Sequence, residues 1–303
     1  MSGQGLTLVV LAAGLGSRYG GLKQLEAVGP GGETLMDYSV YDAARAGFTR
    51  VVFVIRPEME SAFRDFAQGR YGDRVAVSTA HQRLDDIPTG FVVPVGRVKP
   101  WGTAPATLAA ESAVSGPFVV VNADDFYGAS AFAAAAGFLN EEARGAPPAW
   151  ALVGYRLRDT VSAAGGVSRA VCGTDTAGRL TTIEEVHDIA AGAQGFTGRA
   201  EGRTLLLRGD EWVSMNIWAF TLDVFGLLRR GLVTFLHRSD LDRSEYLLPT
   251  IVQEAVRGGE ARVQVLEAGS AWHGITHPAD LARVQEVTRR LHREGRYPAR
   301  LWT

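Results

Sequence analysis

Apolar residues in the first half of this chain come in short unbroken runs rather than in alternation. Leu6 to Ala12 ("LTLVVLA"), Val51 to Ile55 ("VVFVI") and Phe118 to Val121 ("FVVV") are nearly or wholly apolar. A strand apolar on both sides must be covered on both faces, which is the pattern of a buried parallel strand. Segments with helix signals lie between them. "TLMDYSVYDAARAGF" has Thr34 as a cap and Gly47 at its end. "PEMESAFRDFAQG" opens on Pro57, places acids in its first turn and nears its stop at Gly69. Val75 to Thr79 predicts a short strand, "TAPATLAAESAV" an alanine-rich helix capped by Thr103, and Ala129 to Leu139 a further helix. Strands alternating with helices predict an α/β fold: a doubly wound, mostly parallel, Rossmann-like sheet with helices on both faces.

The pattern breaks at "EEARGAPPAW", where glycine and a proline pair place a boundary near Arg144 to Pro148. The expected halves are residues 1–148 and 149–303, together in one compact unit. The second half predicts a smaller mixed α+β region. Its strands are "WALVGYRL", "RTLLLRG" and "EWVSMNIWAF", with a last one at Arg262 to Leu266. Its helices lie near Thr221 to Arg230, Ser244 to Val256 and Pro278 to Arg293. The glycine-rich stretch from Ala190 to Gly202 is expected to be a mobile loop.

Composition narrows the functional classes. A chain of 303 residues with 46% hydrophobic content can bury a large core, and a net charge of -2 offers no basic face for nucleic acid. The single cysteine, Cys172, excludes an internal disulfide framework and fits a reducing cytoplasm. The opening "MSGQGLTLVVLAAG" lacks a basic leader, and no apolar run reaches membrane-spanning length. A cytoplasmic protein whose partners are small molecules is expected.

In doubly wound sheets ligands sit beyond the carboxyl ends of the strands. Two polar segments follow strands here: Gly14 to Lys23, and the pair Asp124 and Asp125. The first is built for phosphate. Its glycines let backbone N–H groups approach an anion closely, Arg18 offers a fork of donors, and Lys23 offers a point charge. It is neither of two common phosphate loops. Tyr19 occupies the third glycine of G-x-G-x-x-G, and Leu22 and Gln24 break G-x-x-x-x-G-K-[ST]. A bare strand-to-helix turn would need the glycines but not both cations.

"LAAGLGSRYGGLKQL" resembles the signature loop of the nucleotidyltransferases that include the sugar-1-phosphate nucleotidylyltransferases. The resemblance runs along almost the whole chain, and more narrowly toward a bacterial branch that carries "SRYGGLKQ", "KPWGTA", "NADDFYG", "VSMN" and a final W-x-G-x-T together. It implies that residues 1–148 bind a nucleoside triphosphate and residues 149–303 a phosphorylated acceptor. Ala12, Ala13, Gly14, Gly16, Gly102 and Thr103 would meet the nucleotide. Arg18 and Lys23 would be catalytic, Arg18 on the departing pyrophosphate and Lys23 on the reacting phosphates. Asp124 would bind Mg²⁺ with Asp125 behind it. Glu185, or else Glu184, and Asn216 would grip the sugar, with Glu245 and Tyr246 as weaker candidates near it.

Three positions depart from the resembled pattern. Arg97 stands where related enzymes often carry glutamine. Val186 and His187, not lysine, follow Glu185. His273 and Gly274 follow Trp272 where many relatives place a second metal-binding aspartate. A satisfied loop histidine is expected for His273 and for His277, because magnesium favours oxygen ligands. The resemblance implies a Mg²⁺-dependent transfer from an NTP to a sugar 1-phosphate. The alternatives are a transferase using another phosphorylated alcohol and a non-catalytic nucleotide or sugar-phosphate binder.

Overall fold

The computed structural model describes residues 5–14, 26–143, 145–162, 165–192, 195–238, 240–275 and 280–302, with the backbone alone for residue 62. The first half runs β1 (Leu6–Leu11), α1 (Leu35–Arg45), β2 (Phe48–Ile55), α2 (Glu60–Tyr71), β3 (Ala76–His81), α3 (Thr103–Ala109), β4 (Phe118–Asn122), β5 (Asp125–Phe126) and α4 (Ala129–Glu141). The second runs β6 (Ala149–Arg156), β7 (Val167–Thr174), β8 (Leu180–Gly192), β9 (Gly195–Ala200), β10 (Arg203–Leu207), β11 (Trp212–Phe220), α5 (Val224–Leu236), α6 (Leu248–Arg257), β12 (Arg262–Glu267), β13 (His273–Gly274) and α7 (Asp280–Arg293).

The apolar runs become the parallel centre of a mixed sheet. Among the described residues an 11-stranded sheet has the order β10-β9-β8-β7-β11-β4-β1-β2-β3, with β6 joining β11 to β12. β1 lies between β4 and β2, parallel to both, and Leu8, Val9 and Val10 have no solvent exposure. One core layer joins Leu8, Val10, Val51, Phe53 and Val119 to α1, α2 and α4. The other joins Val9, Val52, Val120 and Trp218 to α3, α5 and α6. The doubly wound α/β reading is therefore correct, and β11 carries the sheet from the first half into the second.

Local chemistry sets the helix ends. Thr34 caps α1 in a reciprocal box. Its hydroxyl accepts from the Asp37 N–H at 3.3 Å, and Asp37 Oδ2 accepts from the Thr34 N–H at 2.6 Å. Asp37 is buried and also accepts from the Tyr71 hydroxyl at 2.7 Å and from Arg70. That anchor carries α2 past Gly69 to Tyr71. The predicted Thr103 cap does not form. Gly102 is the N-cap of α3, with no side-chain cap bond, and the Thr103 hydroxyl accepts from the Leu248 N–H at 3.0 Å.

The described residues of the expected loop at Ala190 to Gly202 lie in strands β8 and β9 and the turn at Glu201 and Gly202, most of them in the β8-β9-β10 meander. Within β8, Leu180, Ile183, Val186 and Ile189 are the buried residues, three apart rather than two. Register shifts between His187 and Ala190, and Asp188 at φ 53°, break the alternation that would have marked a strand.

The C-terminal segment docks on its own fold. Tyr297 donates to Asp42 Oδ2 at 2.7 Å, and Trp302 meets Tyr41 edge-on at 5.1 Å. Burial pushes the Asp42 carboxyl up to about 7, against the opposing effects of Tyr297 and Arg45. The native state then holds this proton more tightly than the unfolded chain, whose carboxyl titrates near ~4. The stabilisation is present below that value and is lost as pH rises toward ~7. The Tm of the metal-free protein is expected to fall between about pH 5 and about pH 7.5, and Asp42→Asn to flatten part of that fall. An unchanged slope in thermal melts of the variant would reject Asp42 as its source.

Candidate functional site

Register brings the polar residues into one row across the sheet. Leu11 of β1 pairs with Asn122 of β4, so Ala12 to Gly14 and Ala123 to Asp125 leave the sheet side by side. The backbone keeps them there: the Ala12 N–H donates to Val54 at 2.8 Å, and the Ala123 N–H to Leu11 at 3.1 Å. Next across the sheet, Asn216 of β11 donates from Nδ2 to Asn122 Oδ1 at 2.6 Å. Ser214 of β11 pairs with Ala170 of β7, which pairs in turn with Glu185 of β8. Thr103, Asn122, Ser168, Arg169, Glu185 and Asn216, together with Met215, Leu247 and Pro249, line a cavity of ≈ 220 Å³. A larger hollow, ≈ 600 Å³, opens beside α3 and α5 and shares no lining residue with it.

The predicted residues separate by environment. Ala12 and Ala13 are buried, Gly14 is exposed, and Gly16, Arg18, Lys23 and His277 lie outside the described residues. Gly102 is required by packing. At φ +117° a Cβ there would stand 2.4 Å from the Tyr246 carbonyl oxygen. Tyr246 is buried and stacks on Phe235, and Glu245 pairs with Lys99 at 2.8 Å, so neither lines the cavity. Of the two glutamates, Glu185 lines the cavity, while Glu184 pairs with Arg203 at 2.7 Å. Asn216 sits at φ 63°, an uncommon backbone for asparagine. Its side chain is already engaged, donating to Asn122 and accepting from Trp218 Nε1 at 3.1 Å.

Trp101 is core: it is 1% exposed and donates to the Leu84 carbonyl at 2.9 Å. Arg97 is equally structural. Its guanidinium lies 3.9 Å from the Trp101 ring and donates to the carbonyls of Leu241, Pro100 and Ser244.

The acidic pair follows β4. Asp125 accepts from Asn122 Nδ2 at 2.9 Å and lies 3.1 Å from the Tyr127 hydroxyl, which accepts from the Asn122 N–H. Burial, and then the neighbouring Asp124, push the Asp125 carboxyl up to about 7. β13 pairs antiparallel with β5, which sets Gly274 opposite Asp125. A Cβ on Gly274 would stand 2.7 Å from Asp125 Oδ1. His273 is a strand residue rather than the expected satisfied loop histidine. Among the described residues its buried Nδ1 has no hydrogen-bond partner, and burial, Arg283 and Arg290 hold its pKa down at about 4. Among the described residues no three His, Cys, Asp or Glu side chains gather as a metal cluster.

Sequence reasoning missed Asn122, Ser168, Arg169 and Ser214. Asn122 was legible as a polar end to an apolar strand. Arg169 had no local signal.

Comparison with known proteins shows what this arrangement is similar to. Residues 8–124 match the MobA-like NTP transferase domain, a span that opens in β1 and closes on Asp124. This transferase domain supplies the enzyme class, and the whole chain shares its fold with solved nucleotidyltransferases. One is the inositol-1-phosphate CTP transferase from T. maritima, at TM-score 0.59 and 18% identity over 93% of this chain and 94% of that one. Another is a putative glucose-1-phosphate thymidylyltransferase from Bacillus anthracis, at TM-score 0.60 and 16% identity over 94% and 95%. A third is a UDP-glucose pyrophosphorylase complexed with UDP-glucose, at TM-score 0.60 and 12% identity over 93% and 97%. A comparison with curated proteins yields no match. No described helix is long and apolar enough to cross a membrane.

Proposed function

We propose that this chain joins an NTP to a sugar 1-phosphate, releasing pyrophosphate and forming an NDP-sugar. The observation that carries the reading is the cavity holding Glu185 and Asn216 beside the carboxyl ends of β1 and β4. Glu185 offers acceptor oxygens for sugar hydroxyls. Ser168, Ser214 and Asn122 add further polar groups on the same wall.

An acceptor phosphate oxygen attacks the α-phosphorus as the bond to the β-phosphate oxygen breaks, and the electron pair leaves with pyrophosphate. A phosphomonoester has its second pKa near ~6, so at neutral pH it is a nucleophile without a general base. The barrier is the approach of one anion to another, and catalysis rests on positioning and charge neutralisation. Lys23 is assigned to the attacking phosphate and the α-phosphate, and Arg18 to the departing pyrophosphate.

The acidic pair fits a divalent cation. Two adjacent carboxylates, one of them buried with its pKa raised, are relieved by positive charge. Magnesium takes one or two carboxylates with phosphate oxygens and water. Asp124 would hold the ion with Asp125 beside it. Bound there, Mg²⁺ would offset phosphate charge.

The test is pyrophosphate release from each NTP against a panel of sugar 1-phosphates and inositol 1-phosphate, with Mg²⁺ or with EDTA. The expected result is acceptor-dependent release that EDTA abolishes. Release with inositol 1-phosphate alone would replace the sugar by another phosphorylated alcohol. The non-catalytic binder is favoured by Gly274, which itself supplies no carboxylate opposite Asp125. NTP binding with no release across the panel would establish it.

A further inference from the structure

Residues 83–100 form a strap between β3 and α3 with no helix or strand in it. The strap is anchored at several points. Phe91 and Val93 pack against the core, and the Phe91 ring meets His237, just past α5, edge-on at 5.0 Å. Arg97 is buried, lies over Trp101 and donates to the carbonyls of Leu241, Pro100 and Ser244. Between these anchors the Arg97 N–H donates to the Pro94 carbonyl at 3.1 Å. This closes a turn with Val95 at its second position and Gly96, at φ +85°, at its third.

The anchored strap holds apolar side chains outward. Val92, Val95 and Val98 are 83%, 104% and 85% exposed, and Val233 of α5 is exposed as well. Among the described residues these are four of the six large apolar side chains that stand exposed. One exposed valine needs no explanation, but a cluster of them on a fixed support marks a contact surface.

A hollow adjoins the strap. The ≈ 600 Å³ space between α3 and α5 has Pro105, Leu108, Leu232 and Val233 in its wall, with Ile87 at the root of the strap. Its charged residues are Arg83, Asp86, Glu111 and Arg229, two of each sign. Arg83 pairs with Asp85 at 3.0 Å, and Arg229 pairs with Glu111. A nucleic acid or an anionic membrane selects a surface of one sign. A wall with both signs can instead meet its own copy, cation to anion, after a two-fold rotation.

We infer that this face docks a second copy of the chain, the turn at Val95 of each copy entering the hollow of the other. Ile87 lines the hollow and Phe91 packs at the end of α5, so knob and hollow lie on one face. A two-fold axis then satisfies both contacts at once and closes the assembly. The strap and the adjoining walls of α3 and α5 supply roughly the 20–30 residues a side that a stable interface uses. The hollow shares no lining residue with the cavity holding Glu185 and Asn216, so the pairing leaves that cavity open.

Sedimentation velocity of the full chain over the micromolar range tests this. The wild type is expected at twice the mass of one chain. Val95→Glu, at a position without packing to lose, is expected to weaken the dimer ~10–100-fold with Tm unchanged. Val233→Lys is expected to act alike from the side of the hollow. Mixing the two variants separates a strap docked in a hollow from a contact between like valines. In the mixed dimer one hollow and its strap keep both valines, and the other joins the two introduced, opposite charges. Recovery of the dimer mass on mixing is therefore expected.

A wild type that stays monomeric would overturn the proposal. So would a dimer that survives either variant, or mixed variants that remain monomers. Wild-type monomers that bind vesicles of anionic lipid would replace the second copy by a membrane surface. The readout is mass, so its outcome is independent of the transferase reading.

Discussion

Replacement of Lys23 by alanine is expected to lower kcat for pyrophosphate release by about 10²–10³-fold, or roughly 3–4 kcal/mol of transition-state stabilisation. The argument is electrostatic. The acceptor is already a nucleophile near neutral pH, so the enzyme need not activate it. What the reaction lacks is a counter-charge at the point where two phosphates meet. Lys23, nine residues beyond Gly14 in the sequence, is the residue proposed to supply a point charge there. Removal should act mainly on kcat, because the charge matters most as the α-phosphate becomes crowded with oxygens. Steady-state kinetics at saturating NTP and acceptor would read it. A loss below about tenfold would remove Lys23 from the chemistry.

Asp124→Asn is expected to lower Mg²⁺-dependent turnover by a similar ~10²–10³-fold while the protein stays folded. Asparagine keeps the shape and one acceptor oxygen but loses the charge that would hold a divalent ion. Asp124 is half-buried, and its carbonyl accepts from the Ile275 N–H at 3.4 Å, a bond that the substitution leaves in place. Asp125 is a poorer target for the same test. It is buried and tied to Asn122 and Tyr127, so its loss would disturb the β4 end itself. In Asp124→Asn the Mg²⁺ needed for half-maximal activity should rise, with Tm within a few degrees of wild type. Wild-type turnover and Mg²⁺ response would remove Asp124 as the ligand.

The two predictions differ in what supports them. Lys23 lies outside the described residues and rests on the loop's chemistry and its resemblance. Asp124 rests also on the pairing of β1 with β4 and of β5 with β13, which gathers Ala12 to Gly14, the acidic pair and Gly274 at one end of the sheet. Gly274 also bears on the departure at this position. A side chain there would press on both Asp125 and Trp272.

The sequence by itself determined the parallel centre of the sheet and its helices. Short unbroken apolar runs bounded by helix signals fit strands covered on both faces, Thr34 marks the start of α1 through a bond to its own first turn, and Pro57 stands just before α2. The strand-end rule then located the two polar segments without coordinates. Only the tertiary structure decided the acceptor side. Glu184 and Glu185 are neighbours in sequence, and the ladder to β7 decides which of them reaches the cavity. Asn216 was legible as polar within an apolar strand, but its hydrogen bonds come from Asn122, 94 residues away, and from Trp218. Arg97 and Trp101, adjacent to a quoted motif, are held by groups near residues 84 and 241–244. Arg169 enters the site only because β7 lies between β11 and β8 and Trp272 returns from far along the chain. Periodicity and capping are local interactions and can be read in order. Register, bulges and long-range hydrogen bonds join residues that the order of the chain keeps apart, so they exist only once the sheet has formed.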